Sequence, residues 1–222
     1  MLIIGDIHGH VDGYLDLIKK ANYSVQIGDF GFNYNCLNGI DCLRHKFFSG
    51  NHDNYDKLIN SPPHYLGKYG YYTGMDSPFF WISGAWSIDF AWRQQYNNTH
   101  AHKIWWAEEE LSQQELTNAI KFYEIILPDL VLSHTCPQSI QKHVSNDNVL
   151  KEFGFSHDIK TKTSIALDVM FDIHQPKVWI FGHFHQFKDF TINGTQFICL
   201  NKYPDENWWC NVDNLEVKYD LG

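Results

Sequence analysis

The chain has 222 residues, 44% of them hydrophobic and 16% aromatic, and its 17 basic against 26 acidic side chains leave a net charge of −9. That length and apolar content suffice for one domain with a sizeable core. With no run of lysine or arginine to replace phosphate counterions, the charge argues against an extended nucleic-acid duplex as partner.

The predicted elements alternate in type, and several apolar runs end in a short polar string. Leu2-Ile3-Ile4 predicts a strand leading to Asp6-Ile7-His8, and a helix over about 11–20 follows. Val25-Gln26-Ile27 predicts the next strand, closed by Gly28-Asp29. After a short helix come a strand at 47–49, the string Gly50-Asn51-His52-Asp53, and a helix over 53–60 that Ser61-Pro62-Pro63 breaks. Residues 61–110 read as a loop-rich, aromatic-rich insertion into the single domain 1–222. Within it Tyr69–Thr73 and Phe79–Ile82 predict paired strands, Gly84–Gln95 predicts a loop, and Glu108-Glu109-Glu110 reads as a solvated acidic stretch facing a helix dipole. Ser112 with Glu115 is a capping-box signal for a helix that Pro128 stops near Leu127.

A strand over Leu130–Leu132 then leads to Ser133-His134. Ile165, Val169 and Ile173 recur at helical spacing, which predicts a helix over about 161–173 with that stripe as its apolar face. Strands at 177–182, 187–192 and 196–200 and a last one near 215–219 close the chain, the first ending in Gly182-His183-Phe184-His185. Trp208-Trp209-Cys210 reads as edge or core packing. Pattern alone reaches a mixed α/β fold.

Residues just past strand ends can converge, because ligands of open α/β sheets bind in the crevice outside the carboxyl ends of the strands. Carboxylate, imidazole and amide oxygen, without thiolate, suit divalent ions such as manganese, iron or zinc in a catalytic role rather than a closed structural zinc site. Two such ions ~3.5–4 Å apart polarise a phosphoryl oxygen and generate hydroxide near neutral pH, the chemistry of phosphoester hydrolysis. A D-x-H alone is common in turns. G-N-H-D and G-H-x-H arise far less readily by accident, and here all five strings follow strands in order.

In that order the strings resemble the D-x-H, G-D, G-N-H-D/E, H and G-H-x-H motifs of the calcineurin-like metallophosphoesterase superfamily, spanning residues 6–185. The resemblance implies a four-layer α/β/β/α sandwich of two mixed sheets flanked by helices, and a centre of two divalent ions. Manganese is expected foremost, with iron, zinc or nickel as alternatives. By the same resemblance Asp6, His8 and His185 hold one ion, Asn51, His134 and His183 the other, and Asp29 bridges both. His52 matches the histidine that protonates the leaving group, and Asp53 an orienting or structural residue. A metal-bridging hydroxide would attack phosphorus.

The chain departs from the phosphoprotein-phosphatase pattern G-D-x-V-D-R-G. Phe32 stands where its aspartate would be and no arginine follows, so a carboxylate partner for His52 is in question. The expected substrate is a nucleotide or another small phosphomonoester or phosphodiester. Alternatives are a phosphoprotein phosphatase, a nuclease of short single strands, and a non-catalytic binding module. Trp86, Trp92, Trp105 and Trp106 crowd the 61–110 insertion, and Arg93, His102 and Trp105 are the candidate substrate contacts, an arginine for phosphate and an aromatic face for a base.

Eight histidines lie outside the motifs: His10, His45, His64, His100, His102, His143, His157 and His174, of which His10 and His102 are the ones of interest. Five cysteines with no C-x-x-C pair give no disulfide framework. No apolar run nears the ~20 residues of a bilayer span, and a first strand at Leu2 leaves no room for a signal peptide. A cytoplasmic location is expected.

Overall fold

The computed structural model describes residues 1–60, 62–155 and 159–219. Ser61 of the expected helix break and His157 lie outside them. In chain order the elements are β1 (Leu2–Ile4), α1 (Val11–Ile18), β2 (Ser24–Gln26), β3 (His45–Phe47), α2 (Tyr55–Leu58), β4 (Tyr69–Tyr72), β5 (Phe79–Ile82), α3 (Phe90–Thr99), α4 (Gln113–Ile126), β6 (Leu130–Ser133), α5 (Gln138–Gln141), α6 (Asp147–Glu152), α7 (Lys162–Ile173), β7 (Val178–Phe181), β8 (Lys188–Ile192), β9 (Thr195–Cys199), β10 (Trp209–Asp213) and β11 (Glu216–Lys218).

Two mixed sheets form. The first runs β11-β10-β1-β2-β3 and the second β4-β5-β6-β7-β9-β8. β1, β2 and β3 are parallel, as are β5, β6, β7 and β9, so within each sheet the strands that carry the polar strings end on the same edge. The outer strands β4, β8, β10 and β11 pair antiparallel. Trp209 and Cys210 open β10 against β1, an antiparallel pairing opposite Ile4 and Ile3.

Because successive side chains of a strand point to opposite faces, apolar residues of one strand sort into different layers. Phe79 and Trp81, with Leu130, Leu132, Val178 and Ile180, pack between the sheets against Ile3, Val25 and Ile27. Phe80, Ile82, Val131, Trp179 and Phe181 face Leu116, Tyr123, Leu167 and Met170 of α4 and α7. Ile4 and Phe47 on the outer face of the first sheet meet Tyr14 and Ile18 of α1. These three apolar layers make the α/β/β/α sandwich, and strands covered on both faces account for the near-continuous apolar runs in the sequence.

Helix ends follow local chemistry. Ser112 and Glu115 complete the capping box of α4, and Leu127 caps the other end in a left-handed conformation just before Pro128. Thr161 caps α7 through Ser164. The expected face of α7 is inverted, however. Ile165, Val169 and Ile173 are 47%, 40% and 38% exposed, while Ala166, Leu167, Met170 and Phe171 are buried. The helix is apolar around much of its circumference, so spacing alone fits two faces. Residues 84–95 are not all loop, since α3 begins at Phe90, and α5 and α6 add two short helices before α7. Among the described residues no helix is long and apolar enough to cross a membrane.

Candidate metal centre

The polar strings converge where the strands end. Asp6 and His8 follow β1, Asp29 follows β2, Asn51 follows β3, His134 follows β6, and His183 and His185 follow β7. The connectors are stitched together. His8 N and Ile7 N donate to Asp29 O, Gly182 N donates to His134 O, and Tyr203 N donates to Asp6 O. His8, Asp29, His183 and His185 all adopt left-handed backbone conformations (φ 45°, 56°, 71° and 51°). Such φ values are uncommon for residues other than glycine and cluster at functional sites.

Asp6, His8, Asp29 and His185 bring one ligand atom each within 4.8 Å of one another. His185 Nε2 lies 3.2 Å from Asp6 Oδ2 and 2.9 Å from His8 Nε2. Beside them, Asn51 Oδ1 is 3.0 Å from both His134 Nε2 and His183 Nδ1, and His134 Nε2 is 3.2 Å from Asp29 Oδ1. Two donor sets therefore meet at Asp29. Its Oδ1 accepts from the backbone of His52 at 2.7 Å, while Oδ2 is buried without a hydrogen-bond partner. A buried carboxylate oxygen left unpaired is costly unless a cation occupies that side. His134 Nδ1 donates to Ile27 O, which turns Nε2 toward the centre, as second-sphere partners of metal-bound imidazoles do. This oxygen and nitrogen donor set fits divalent ions.

Electrostatics point the same way. Burial raises the carboxyls of Asp6 and Asp29, but hydrogen bonding from His185 and the charge of His134 hold Asp6 below its usual range, and His134 and His52 hold Asp29 well below. Burial lowers His134, yet the charge of Asp29 and its hydrogen bond lift that imidazole to about 9. Burial and the neighbouring His134 drop His183 to about 3, a neutral, ligand-ready ring. Asp53 is fully buried and accepts from Gly31 N, Gly50 N and the Tyr34 hydroxyl. It ties the β2 and β3 connectors together, while burial and Asp29 push its carboxyl up to about 7.

His52 has no carboxylate on its ring among the described contacts. Arg93 Nη2 touches both ring nitrogens, 3.0 Å from Nε2. The guanidinium is only 6% exposed and is held by Asp89, whose two oxygens lie 2.8 Å from Nε, and by Ile104 O. Burial first, with Arg93 and His8 adding to it, lowers His52 to about 4. Phe32, in the place of the expected aspartate, packs edge-on to Trp106 instead.

The other substrate candidates divide. Arg93 is in the centre, and Trp86 lines the adjoining cleft. His102 is exposed and bonds Tyr96, and Trp105 faces Glu109, so neither lines that cleft. His10 is exposed beside Tyr203.

Sequence reading missed a buried relay. Asn51 Nδ2 donates to Ser87 Oγ, which donates in turn to Glu109 Oε2, while Ser87 N donates to Oε1. Glu109 is 2% exposed, a correction to the solvated acidic stretch, and Glu110 accepts from Thr163. A cue did exist for Asp89 and Arg93, whose i,i+4 spacing suits a helical ion pair.

Burial lifts the Glu109 carboxyl to about 7 from 4.5. The folded chain then keeps a proton that the unfolded chain releases, so stability is fullest below about 4.5 and is lost as pH rises to about 7. In chelator, urea unfolding of Glu109→Gln between about pH 5 and 7.5 is expected to show a fall shallower by roughly 1–3 kcal/mol. Parallel curves for the two proteins would show that Glu109 does not titrate this way.

Among solved structures the fold is similar to a dimetal phosphatase from Danio rerio, at 14% identity and a TM-score of 0.58, covering 96% of this chain and 92% of that one. It is also similar to the phosphopantetheinyl hydrolase of Mycobacterium tuberculosis, at 14% identity and a TM-score of 0.51, covering 99% and 95%. No curated protein matches the sequence. The sequence profile of the calcineurin-like phosphoesterases, by contrast, matches residues 1–187, most of the chain and all of the converging strings, so the chain belongs to that family of metal-dependent phosphoesterases.

Proposed function

We propose that this protein hydrolyses a small phosphate ester, a nucleotide or another phosphomonoester or phosphodiester, at a centre of two divalent ions. Asp6, His8 and His185 would hold one ion, Asn51, His134 and His183 the other, and Asp29 would be shared. The observation that carries this reading is the meeting of both donor sets at Asp29, one oxygen beside His134 and the other buried and unpaired. Bound ions would supply Lewis-acid polarisation of a phosphoryl oxygen and acidify water; the mixed oxygen and imidazole donors accept manganese, iron, zinc or nickel, and manganese is the first choice on the family resemblance.

The chain's own groups do the rest. His52 stands with its ring 5.2 Å from that of His8. Lowered to about 4 by burial and by Arg93 beside it, the ring is neutral near pH 7. It gives a proton to the departing oxygen only once the negative charge of a bound phosphate raises it and draws the guanidinium off its ring. The Arg93 guanidinium, fixed by Asp89, holds the His52 ring until it donates to a phosphate oxygen. A phosphoprotein phosphatase is the weaker reading, since His52 meets an arginine rather than a carboxylate. Five free cysteines, three of them buried, suit a reducing, cytoplasmic setting.

Hydrolysis of the mono- and diester of p-nitrophenol, after metal stripping and refilling with manganese, tests the reading. Turnover that requires the metal is expected, and the preferred ester separates monoesterase from diesterase. No turnover of either ester with manganese, iron, zinc or nickel would argue for a binding module.

A further inference from the structure

Beside the centre the surface opens into a cleft of about 390 Å³ with Asn51, His52, His183 and His185 at one end. Its walls are Trp86, Val149, Leu150, Phe153, Ile159 and Phe184. Val149 and Phe153, four residues apart at α6, are 41% and 44% exposed and both face this space. Trp86 is set edge-on to Phe155 with centroids 5.5 Å apart, and Phe90 lies 5.3 Å on another side.

Away from the imidazoles at its metal-centre end and from Asp89, the polar groups that line the cleft are neutral amides and hydroxyls, Thr135, Gln141, Ser145 and Asn146 among them. Among the described residues no lysine or arginine lines it, and the one carboxylate, Asp89, is engaged by Arg93. Lys160 and Lys162 line the neighbouring pocket beyond Trp86 and Ile159, so counter-charge for a polyanion lies outside the cleft itself. The volume lies near the lower end of small-molecule sites, roughly 300–1,000 Å³. A single ring system is within that volume.

We propose that this cleft is the leaving-group subsite and that it selects phosphate esters of uncharged alcohols bearing an aromatic or heteroaromatic ring, an inference that rests on the phosphoesterase reading above. Water adds its oxygen to phosphorus, the ester P–O bond breaks, and the alcohol leaves with a proton. No other co-reactant is required.

The test compares benzyl phosphate with glycerol 3-phosphate, both esters of primary alcohols, on the manganese-refilled protein and on Phe153→Ser. A preference of about tenfold or more in kcat/KM for the benzyl ester is expected, shrinking by about tenfold in the variant, with inorganic triphosphate poorer than either. Equal kcat/KM for the two esters, or a preference for triphosphate, would overturn the subsite and leave phosphoesterase chemistry standing. Calorimetry with benzylphosphonate and methylphosphonate, which are not cleaved, reads the cleft without turnover. Tighter binding of the benzyl compound, lost in Phe153→Ser, supports the subsite even if no ester is hydrolysed. Equal binding of the two overturns it.

Discussion

Asp29→Asn is expected to lower turnover of any phosphate ester by about a thousandfold and to cost the protein at least one of the two ions proposed for it. Asparagine keeps the shape of the side chain but removes its charge and places an amide N–H₂ on one side of a group that meets imidazoles on both. Oδ1 is 3.2 Å from His134 Nε2, and Oδ2 is 3.9 Å from His8 Nε2. Either amide orientation therefore turns a donor toward a nitrogen that must stay open for metal. Loss of one preorganised electrostatic group at a reacting centre commonly costs about 10²–10³ in rate, and the shared position of Asp29 puts this substitution at or beyond the upper end. Metal content after dialysis and kcat on the nitrophenyl esters are the measurements. Two retained ions with turnover within about threefold of the parent would remove Asp29 from the shared role.

Gly50→Ala is expected to damage the centre without replacing a ligand. Gly50 lies outside the left-handed region, so alanine suits its backbone, but a Cβ would stand 2.3 Å from Asp29 Oδ1, 2.5 Å from His134 Nε2 and 2.6 Å from Asp29 N. None of these can yield easily. One is backbone, and the His134 ring is fully buried and tied to Ile27 O. Displacing groups that orient ligands costs about 10–100-fold in metal affinity, and overpacking costs about 1–3 kcal/mol of stability. Manganese titration and urea unfolding would report both losses. Gly39→Ala is the contrast, with φ 85° and nothing within 4 Å of its Cβ. It should cost roughly 1 kcal/mol through backbone strain and leave metal affinity alone. Unchanged manganese binding in Gly50→Ala would mean that the loops are looser than their contacts indicate.

Much of this was legible before the fold was known, because a ligand placed just after a buried strand is fixed by two local facts, an apolar run and the polar residue that ends it. Asp6, Asp29, His134 and His183 are of that kind. Asn51 is nearly so, although β3 lies two residues earlier than its predicted span, leaving Phe48-Ser49-Gly50 as connector. What failed was whatever depends on a distant partner. Glu109 looks like its acidic neighbours until Ser87 arrives to meet it, and the faces of α7 are told apart only by which one α4 covers. α3 was hidden because Trp92, Tyr96, Asn97, Asn98 and Thr99 are weak helix formers, so tertiary contacts such as Asn97 with the Trp105 carbonyl decide its conformation. The missing partner of His52 is the same lesson in the site: an arginine from α3 occupies ground that the second motif leaves to Phe32.

Each donor set draws on both sheets. Asp6, His8, Asp29 and Asn51 come from the first and His134, His183 and His185 from the second. Neither sheet alone carries a complete set, so an ion bound here acts as a rivet across the interface, and its binding free energy adds to the cohesion of the two halves. On the proposed ligand assignment, bound ions and sheet packing would form one cooperative unit, in which a weakened interface would loosen the ions and a lost ion would loosen the interface.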